Sequence, residues 1–519
     1  MALMTMENEV PKNIQEAKQS SEWVHWKQAI FEELKSMEKH EVWNTVTRPK
    51  NKKVIKSKWV FNIKEDPNGQ RRYKARLVAQ GCGQRPGVDY DETFAPVVKT
   101  ETIRLLFSIS AQKQRKMKIY DVKTAYLHGK LKEEIYMELP DGIQENHEKV
   151  CKLKRSIYGL KQAGKCWNEF LTEIMIKCGM KYSKEDPCLF YAIEKNRFVY
   201  CGIHVDDMIT VSSDDEFERG FMKKIEQYME IKDLGEAKTV LGMEVIQEEG
   251  KVYVDQKNYI KRLLELYGME ECNIVRSPMD LNVKMEEYKE SERVDVRTYQ
   301  ELMGRLMYLS VHTRPDLSFA LSCLSQFNTD PRAIHMTGLK RILRYLKGTI
   351  NYQLQFGKQR KIKKLECETD ASWDRTEDAK SFNGILLYWN GDLVHWRCRK
   401  QKRVALSSTE SELEAMLEGV NELTWTAKLL QKIGLSNEIQ CELRCDNLNA
   451  VRLANGGNFK TKSKLMNRRC HYIRETVKEQ NILVRHEPKD NMRADCLTKP
   501  LSGPTLLKNV KRFMSTMDQ

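Results

Sequence analysis

The sequence has no CxxC pair, and its 14 cysteines are scattered. Cys441 and Cys445 lack a second His or Cys pair at finger spacing, which argues against a zinc site. Reduced, mostly buried thiols are then the expectation. No apolar run approaches a membrane span, and the N-terminus shows no charged-then-apolar signal pattern. These absences argue for a cytoplasmic chain, with the nucleus as a second location, and against a membrane partner. There is no internal repeat.

What is present is length and positive charge. At 519 residues the chain is too long for one core and calls for several domains. Lys and Arg exceed Asp and Glu by 88 − 73 = 15, which favours a polyanionic partner over the plainer reading of a solvated basic surface. Without a zinc module, nucleic-acid binding has to come from the folded domains.

The chain reads in four pieces. Residues 12–40 form an amphipathic helix, with Trp23, Trp26, Ile30, Leu34 and Met37 three and four apart and a packing role only. Residues 53–110 carry short basic strands, and "DPNG" at 66–69 marks a hairpin. Lys74 and Arg76 share one strand face there, suited to a phosphate chain or simply a wet sheet face. Residues 115–250 alternate strands and helices, and 251–355 are mostly helical. In that part, "KRILRYLKGT" at 340–349 is either a rider on a nucleic-acid backbone or a surface helix with Ile342, Leu343 and Leu346 packed inward. After the charged "KQRKIKK", the strands "KLECETDAS", "FNGILLYW" and "DLVHWRC" precede a helix from about Glu410 to Leu430, the strand "QCELRCD" and a further helix.

Two sets of carboxylates stand out. In "YCGIHVDDMITVSS" the pair Asp206–Asp207 separates two strand patterns and reads as a two-residue hairpin, with His204 and Asp206 on one face. Adjacent carboxylates repel unless cations sit between them; the plain alternative is a polar turn. Asp121 ends the apolar strand of "KIYDVKTAYLHGKL". A strand-end carboxylate plus a hairpin-tip pair is the arrangement that two-metal nucleotidyl transfer needs. In the second set, Asp370 and Asp446 end apolar strands, Glu412 lies in the first turn of a helix and Asp495 lies in "NMRADCLTK". Glu410 competes with Glu412, because both fit a capping box.

"YKARLVAQGCGQRPGVDYDETFAPVVKTETIR", "YDVKTAYLHGKL", "SIYGLKQAGKCW", "HVDDMIT", "KDLGEAKTVLGMEV", "TRPD" and "RYLKGT", in this order, resemble the reverse transcriptase of copia-type LTR retrotransposons. "TDASW", "KQKRVALSSTESELEAM", "CDNLNAVRLA", "HYIRE" and "ADCLTKPL" resemble the ribonuclease H domain that follows it in the Pol polyprotein. The resemblance implies an α/β and α+β multidomain chain: a right-hand polymerase with fingers, palm and thumb, followed by a ribonuclease H-like mixed α/β domain. The expected segments are a helical extension over 1–52, fingers and palm over 53–250, thumb or connection over 251–360, the ribonuclease H-like domain over 361–505 and a tail over 506–519.

It also implies roles. Asp121 and Asp206 are the metal ligands of the polymerase, with Asp207 completing the triad. Tyr126 is the gate against a ribose 2′-hydroxyl, its plainer role being core packing. Lys74 and Arg76 bind the triphosphate, Tyr158 and Gly159 line the template and incoming base, and Leu241 and Gly242 form the primer grip. Asp370, Glu412, Asp446 and Asp495 hold the nuclease metals, with Glu412 the ligand and Glu410 the helix cap, and His486 is either a product-release group or an exposed loop histidine. The implied cofactor is Mg²⁺, two ions per site, with Mn²⁺ as a substitute. The implied partners are an RNA template, a DNA primer/template, an RNA–DNA hybrid, dNTPs and other Pol or Gag products, within a virus-like particle if the element is complete. The chain departs from the pattern at His204 (usually Tyr), Gly164 (usually Pro, so a looser turn is expected), His128 (usually Asn) and "KTKSKLMN" at 460–467. Those departures motivate the alternative of a remnant that binds nucleic acid without polymerase activity.

Overall fold

The computed structural model of the protein describes residues 10–65, 70–142, 148–281, 291–357, 363–373, 378–436, 438–457 and 464–516. The 66–69 turn, most of the charged bridge before residue 364 and half of the 460–467 block lie outside them. Among the described residues no helix is long and apolar enough to cross a membrane. The chain divides into two compact units, each described by itself.

The first unit comprises the chain up to Val98, then Lys118–Tyr182 and Pro187–Gly235. The expected helix over 12–40 is two helices, Ile14–Gln19 and α1 (Trp23–Lys39), because Ser20, Ser21 and Glu22 interrupt it. The fingers hairpin is β1 (Ser57–Glu65) and β2 (Arg71–Ala79), paired antiparallel from Ser57↔Ala79 to Glu65↔Arg71. Alternation buries Ala75, Leu77 and Ala79 and leaves Lys74, Arg76 and Val78 half-exposed on the other face. Helix α1 holds this hairpin through Trp26, whose ring meets Phe61 and Tyr73 edge-on at 5.2 and 4.7 Å. Residues 10–52 thus take part in the packing of this unit. Their strand Trp43–Thr47 also pairs with Lys149–Arg155.

The palm of this unit is a six-stranded sheet. Its strands are β3 (Met117–Val122), β4 (Lys181–Tyr182), β5 (Leu189–Glu194), β6 (Arg197–His204), β7 (Asp207–Ser212) and β8 (Ile231–Glu236), in the spatial order β8-β3-β7-β6-β5-β4. The apolar runs of β6 and β7 are buried almost throughout, so the central strands form a rigid floor. Helix α2 (Ala163–Lys177) also belongs to this unit and buries Trp167 and Leu171.

The second unit comprises Lys99–Met117, Ser183–Asp186 and the chain from Glu236. Its thumb helices include Val296–His312 and Ala333–Gly348. Ile342, Leu343 and Leu346 are buried, while Arg344 and Lys347 donate to the backbone carbonyls of Asn273 and Cys272 at 2.7 and 3.0 Å. That helix thus packs inward and spends two of its cations on its own chain. "TRPD" is a buried ion pair, Arg314 to Asp316 at 2.7 Å, and Arg314 also donates to the Thr349 carbonyl at the end of "RYLKGT". Within the expected tail, Met514–Thr516 pairs with the strand Tyr352–Phe356.

The ribonuclease H-like domain has β9 (Lys364–Ala371), β10 (Phe382–Trp389), β11 (Asp392–Lys400), helix α3 (Ser408–Lys432), β12 (Gln440–Cys445) and β13 (Ile482–His486). The sheet order is β11-β10-β9-β12-β13. The pairs β9–β10 and β10–β11 are antiparallel, whereas β9–β12 and β12–β13 are parallel. The parallel ladders set the ends of β9 and β12 side by side, with Thr369 opposite Cys445.

Candidate active sites

In the first unit the hairpin that carries Asp206 differs from the expected one by a residue. His204 pairs with Asp207, so the turn is Val205–Asp206 and not Asp206–Asp207. Asp206 is a loop residue, and strand alternation no longer places it on the face of His204. Val205 sits at φ +59°, a left-handed conformation that β-branched residues rarely accept. The Val122 N–H donates to the Asp206 carbonyl at 2.9 Å, which sets the end of β3, and Asp121 with it, beside the turn.

Asp121 and Asp206 line one cleft of about 1380 Å³, together with Lys74, Arg76, Tyr158 and the inner side of α1. Tyr126 and Tyr158 meet edge-on at 4.9 Å, and the Arg76 guanidinium lies 4.8 Å over the Tyr158 ring. Burial, and then the Asp206 charge, raise the Tyr126 phenol; burial pushes Tyr158 up to about 12. Both remain protonated at neutral pH. Gly159 has φ +89°, and a Cβ there would lie 2.1 Å from the Ala79 carbonyl oxygen. Only glycine fits, and the fit lets the Ala79 N–H reach the Tyr158 carbonyl at 2.8 Å. The end of β2 is thereby fastened to the segment that carries Tyr158.

Three neighbours lay beyond sequence reasoning or differ from it. Glu33 of α1 accepts the Leu77 N–H at 3.3 Å, and burial raises its carboxyl despite Arg76 and Lys74. Amphipathicity could assign α1 a packing face but not a carboxylate in a cleft wall. His128 is buried, edge-on to His40 at 4.6 Å, and burial followed by the His40 charge pushes it down to about 4. Gly164 lies in the first turn of α2 and not in a loose loop; a Cβ there would come within 2.8 Å of the Ala95 Cβ. Leu241 and Gly242 lie in the second unit, at φ +48° and +75°, and the Tyr308 hydroxyl donates to the Leu241 carbonyl at 2.6 Å.

The second acidic set is tighter. Carboxylate oxygens of Asp370, Asp446 and Asp495 all lie within 4.8 Å of one another, and Glu412, Cys445 and Asp446 form a second such group. Asp370 comes from β9, Asp446 follows β12, Glu412 comes from the first turns of α3 and Asp495 from a short turn at Arg493–Leu497. Ser407 caps α3 by accepting the Glu410 N–H at 3.2 Å, and Glu410 reaches back to the Leu406 N–H at 3.0 Å. Glu412 faces the cluster instead and accepts the Cys445 thiol at 3.5 Å. Burial, then Asp370 and Asp446, push Glu412 well above the carboxylate range; burial and Asp370 raise Asp446, and raise Asp495 to about 7.

Four carboxyl groups held this close repel one another. Oxygen donors of this kind match hard divalent cations such as Mg²⁺ or Mn²⁺, and a cation among them would relieve the repulsion. Asp121 and Asp206 offer the same donor chemistry in a more open cleft. Among the described residues, Asp121, Asp206 and Asp207 do not form a three-ligand group of that tightness. The sequence reading missed Lys499 and Thr498. Lys499 pairs with Asp495 at 2.5 Å, and the Thr498 hydroxyl donates to Asp370. Lys499 is four residues from Asp495, a spacing that reads as an ordinary surface pair. His486 is exposed and contacts the Asp446 carbonyl at 3.0 Å.

A palm sheet whose strand end and hairpin turn carry aspartates, followed by a five-stranded domain with four gathered carboxylates, defines a reverse transcriptase fold joined to a ribonuclease H-like domain. Residues 40–281 match the family model for reverse transcriptase (RNA-dependent DNA polymerase). The chain is 35% identical over 501 residues to the Retrovirus-related Pol polyprotein from transposon TNT 1-94 of Nicotiana tabacum, covering 94% of this chain and 38% of that one. It is 33% identical over 482 residues to the corresponding polyprotein from transposon RE1 of Arabidopsis thaliana, covering 92% of this chain and 33% of that one. Among solved structures, a foamy viral protease-reverse transcriptase in complex with ds DNA is similar at a TM-score of 0.48 and 11% identity, over 89% of this chain and 69% of that one. The chain is thus similar to Pol polyproteins of plant transposons, and it spans about a third of the length of these relatives.

Proposed function

We propose that the chain is an RNA-directed DNA polymerase with a ribonuclease H activity, copying retrotransposon RNA into DNA and degrading the RNA of the hybrid. The observation that carries this is the cleft in which Asp121 and Asp206 stand side by side and the cations Lys74 and Arg76 line the wall. Asp121 and Asp206 would hold divalent cations there, and Asp370, Glu412, Asp446 and Asp495 would hold them in the nuclease. Bound cations would activate the attacking oxygen, a primer 3′-hydroxyl in one site and a water in the other, and would neutralise leaving-group charge.

The chain's own residues do the rest. Lys74 and Arg76 meet the triphosphate of an incoming dNTP, and Arg76 is oriented by Tyr158. Tyr126, fixed edge-on against Tyr158, excludes a ribose 2′-hydroxyl. The excess of basic residues grips template and hybrid through phosphate and shape, without reading sequence. In the nuclease, Lys499 neutralises Asp495 until substrate arrives. Primer extension on poly(rA)/oligo(dT) tests the reading. Mg²⁺-dependent incorporation that disappears in Asp206→Asn supports it. Hybrid binding without any extension by the unaltered chain would leave the binding-only remnant in its place.

A further inference from the structure

The turn that carries Asp206 is held from outside the palm sheet. Trp167, on α2, is 3% exposed, and its indole N–H donates to the Val205 carbonyl at 2.7 Å. The next carbonyl, that of Asp206, accepts the Val122 N–H at 2.9 Å. Two successive peptide groups of a two-residue turn are thus fixed by different elements. The one fixed by Trp167 belongs to the residue at φ +59°. A valine in that conformation persists only where its surroundings enforce it, and the Trp167 bond is such a restraint. The peptide that Trp167 orients joins Val205 to Asp206, so its tilt sets the direction in which the Asp206 side chain leaves the backbone.

We infer that Trp167 is a positioning residue for DNA synthesis: its N–H holds Val205 left-handed and thereby aims the Asp206 carboxylate into the cleft. The bland alternative is that Trp167 only fills space beside His128 and Phe170, each 6.1 Å from its ring. The inference rests on the polymerase reading above, and its test separates the two.

Trp167→Phe keeps an aromatic ring and removes the N–H. Extension should fall by about 10²-fold, the effect of a small misplacement of a reacting group. The loss should be in kcat, with a higher Mg²⁺ requirement and a dNTP KM little changed, and cleavage of a hybrid by the same molecules should be unaffected. Adding Val205→Gly should restore most of the lost rate, because glycine adopts positive φ without a clamp. Hydrogen exchange supplies a readout free of activity. Amides of 117–126 and 197–212 should exchange faster in Trp167→Phe, while those of the fingers strands 57–65 and 71–79 should not change. Unchanged exchange at 197–212, or a rate loss that Val205→Gly does not repair, overturns the inference. If the unaltered chain extends no primer, the polymerase reading fails, and the exchange experiment still decides what Trp167 does.

Discussion

The two acidic centres are assembled by opposite means. The C-terminal centre gathers four carboxyl groups from separate elements into a partly buried cluster, so its cost lies in charge: Glu412, Asp446 and Asp495 are all driven toward protonation. The polymerase pair is delivered by one strand end and one tight turn in an open cleft, and its cost lies in the backbone at Val205. A site strained in charge is relaxed by a cation or a proton. A site strained in backbone needs neighbours that hold it whether or not anything is bound.

The largest effects test whether the centres are independent. Asp446→Asn should lower hybrid cleavage by on the order of 10³-fold or more, since loss of a metal ligand forfeits several kcal/mol of transition-state stabilisation. It should leave primer extension within about twofold, and Asp206→Asn should do the reverse. Either substitution lowering both activities would break the comparison.

The metal-free protein should next reveal the charge strain through pH. Asp495 titrates near 4 when unfolded, as aspartates do, and near 7 when folded. Between these values the folded state binds the extra proton. Its stability therefore falls as pH rises from about 4 to about 7, by about 2–4 kcal/mol if Asp495 acted alone. Thermal melts in EDTA across that range check it, and a profile unchanged by Asp495→Asn would refute the assignment. A smaller effect, about 1–2 kcal/mol, is expected at pH 7 in EDTA when Asp446→Asn removes one of the crowded charges. The variant should melt a few degrees higher than the parent, although it is the poorer enzyme. Asp206→Asn, in the uncrowded cleft, should shift the melt by no more than about 0.5 kcal/mol. Equal shifts from both substitutions would mean that crowding does not distinguish the sites.

How much of this was legible in the sequence follows from the same contrast. Asp121, Asp370 and Asp446 could be placed because an apolar strand ending in a carboxylate is a local pattern. Cap spacing left Glu410 and Glu412 open, the resemblance favoured Glu412 as the ligand, and the structure gives the cap contacts to Glu410. The hairpin register could not be read. Valine favours strands and aspartate favours turns, so local preference puts Asp206–Asp207 in the loop, whereas pairing with β6 puts Val205 there. Glu33, Trp167, Thr498 and Lys499 were illegible for a different reason. Each acts across a tertiary contact, and nothing in its neighbouring residues distinguishes it from a packing or surface position.

His204 is where the smallest effect is expected. It stands where the family usually has Tyr. In the structure it is half-buried at the last rung of the β6–β7 ladder, and burial lowers its pKa even though Asp206 works the other way. A histidine pushed down holds its proton less readily than a free one. His204→Tyr should therefore change the extension rate by no more than about twofold and should leave its pH profile between about 6 and 8 unaltered. Rate measurements on both forms decide this. An inflection near pH 7 that disappears in the tyrosine variant would show that the histidine titrates in contact with substrate, and that the turn at Val205 carries a charge cost as well as a backbone one.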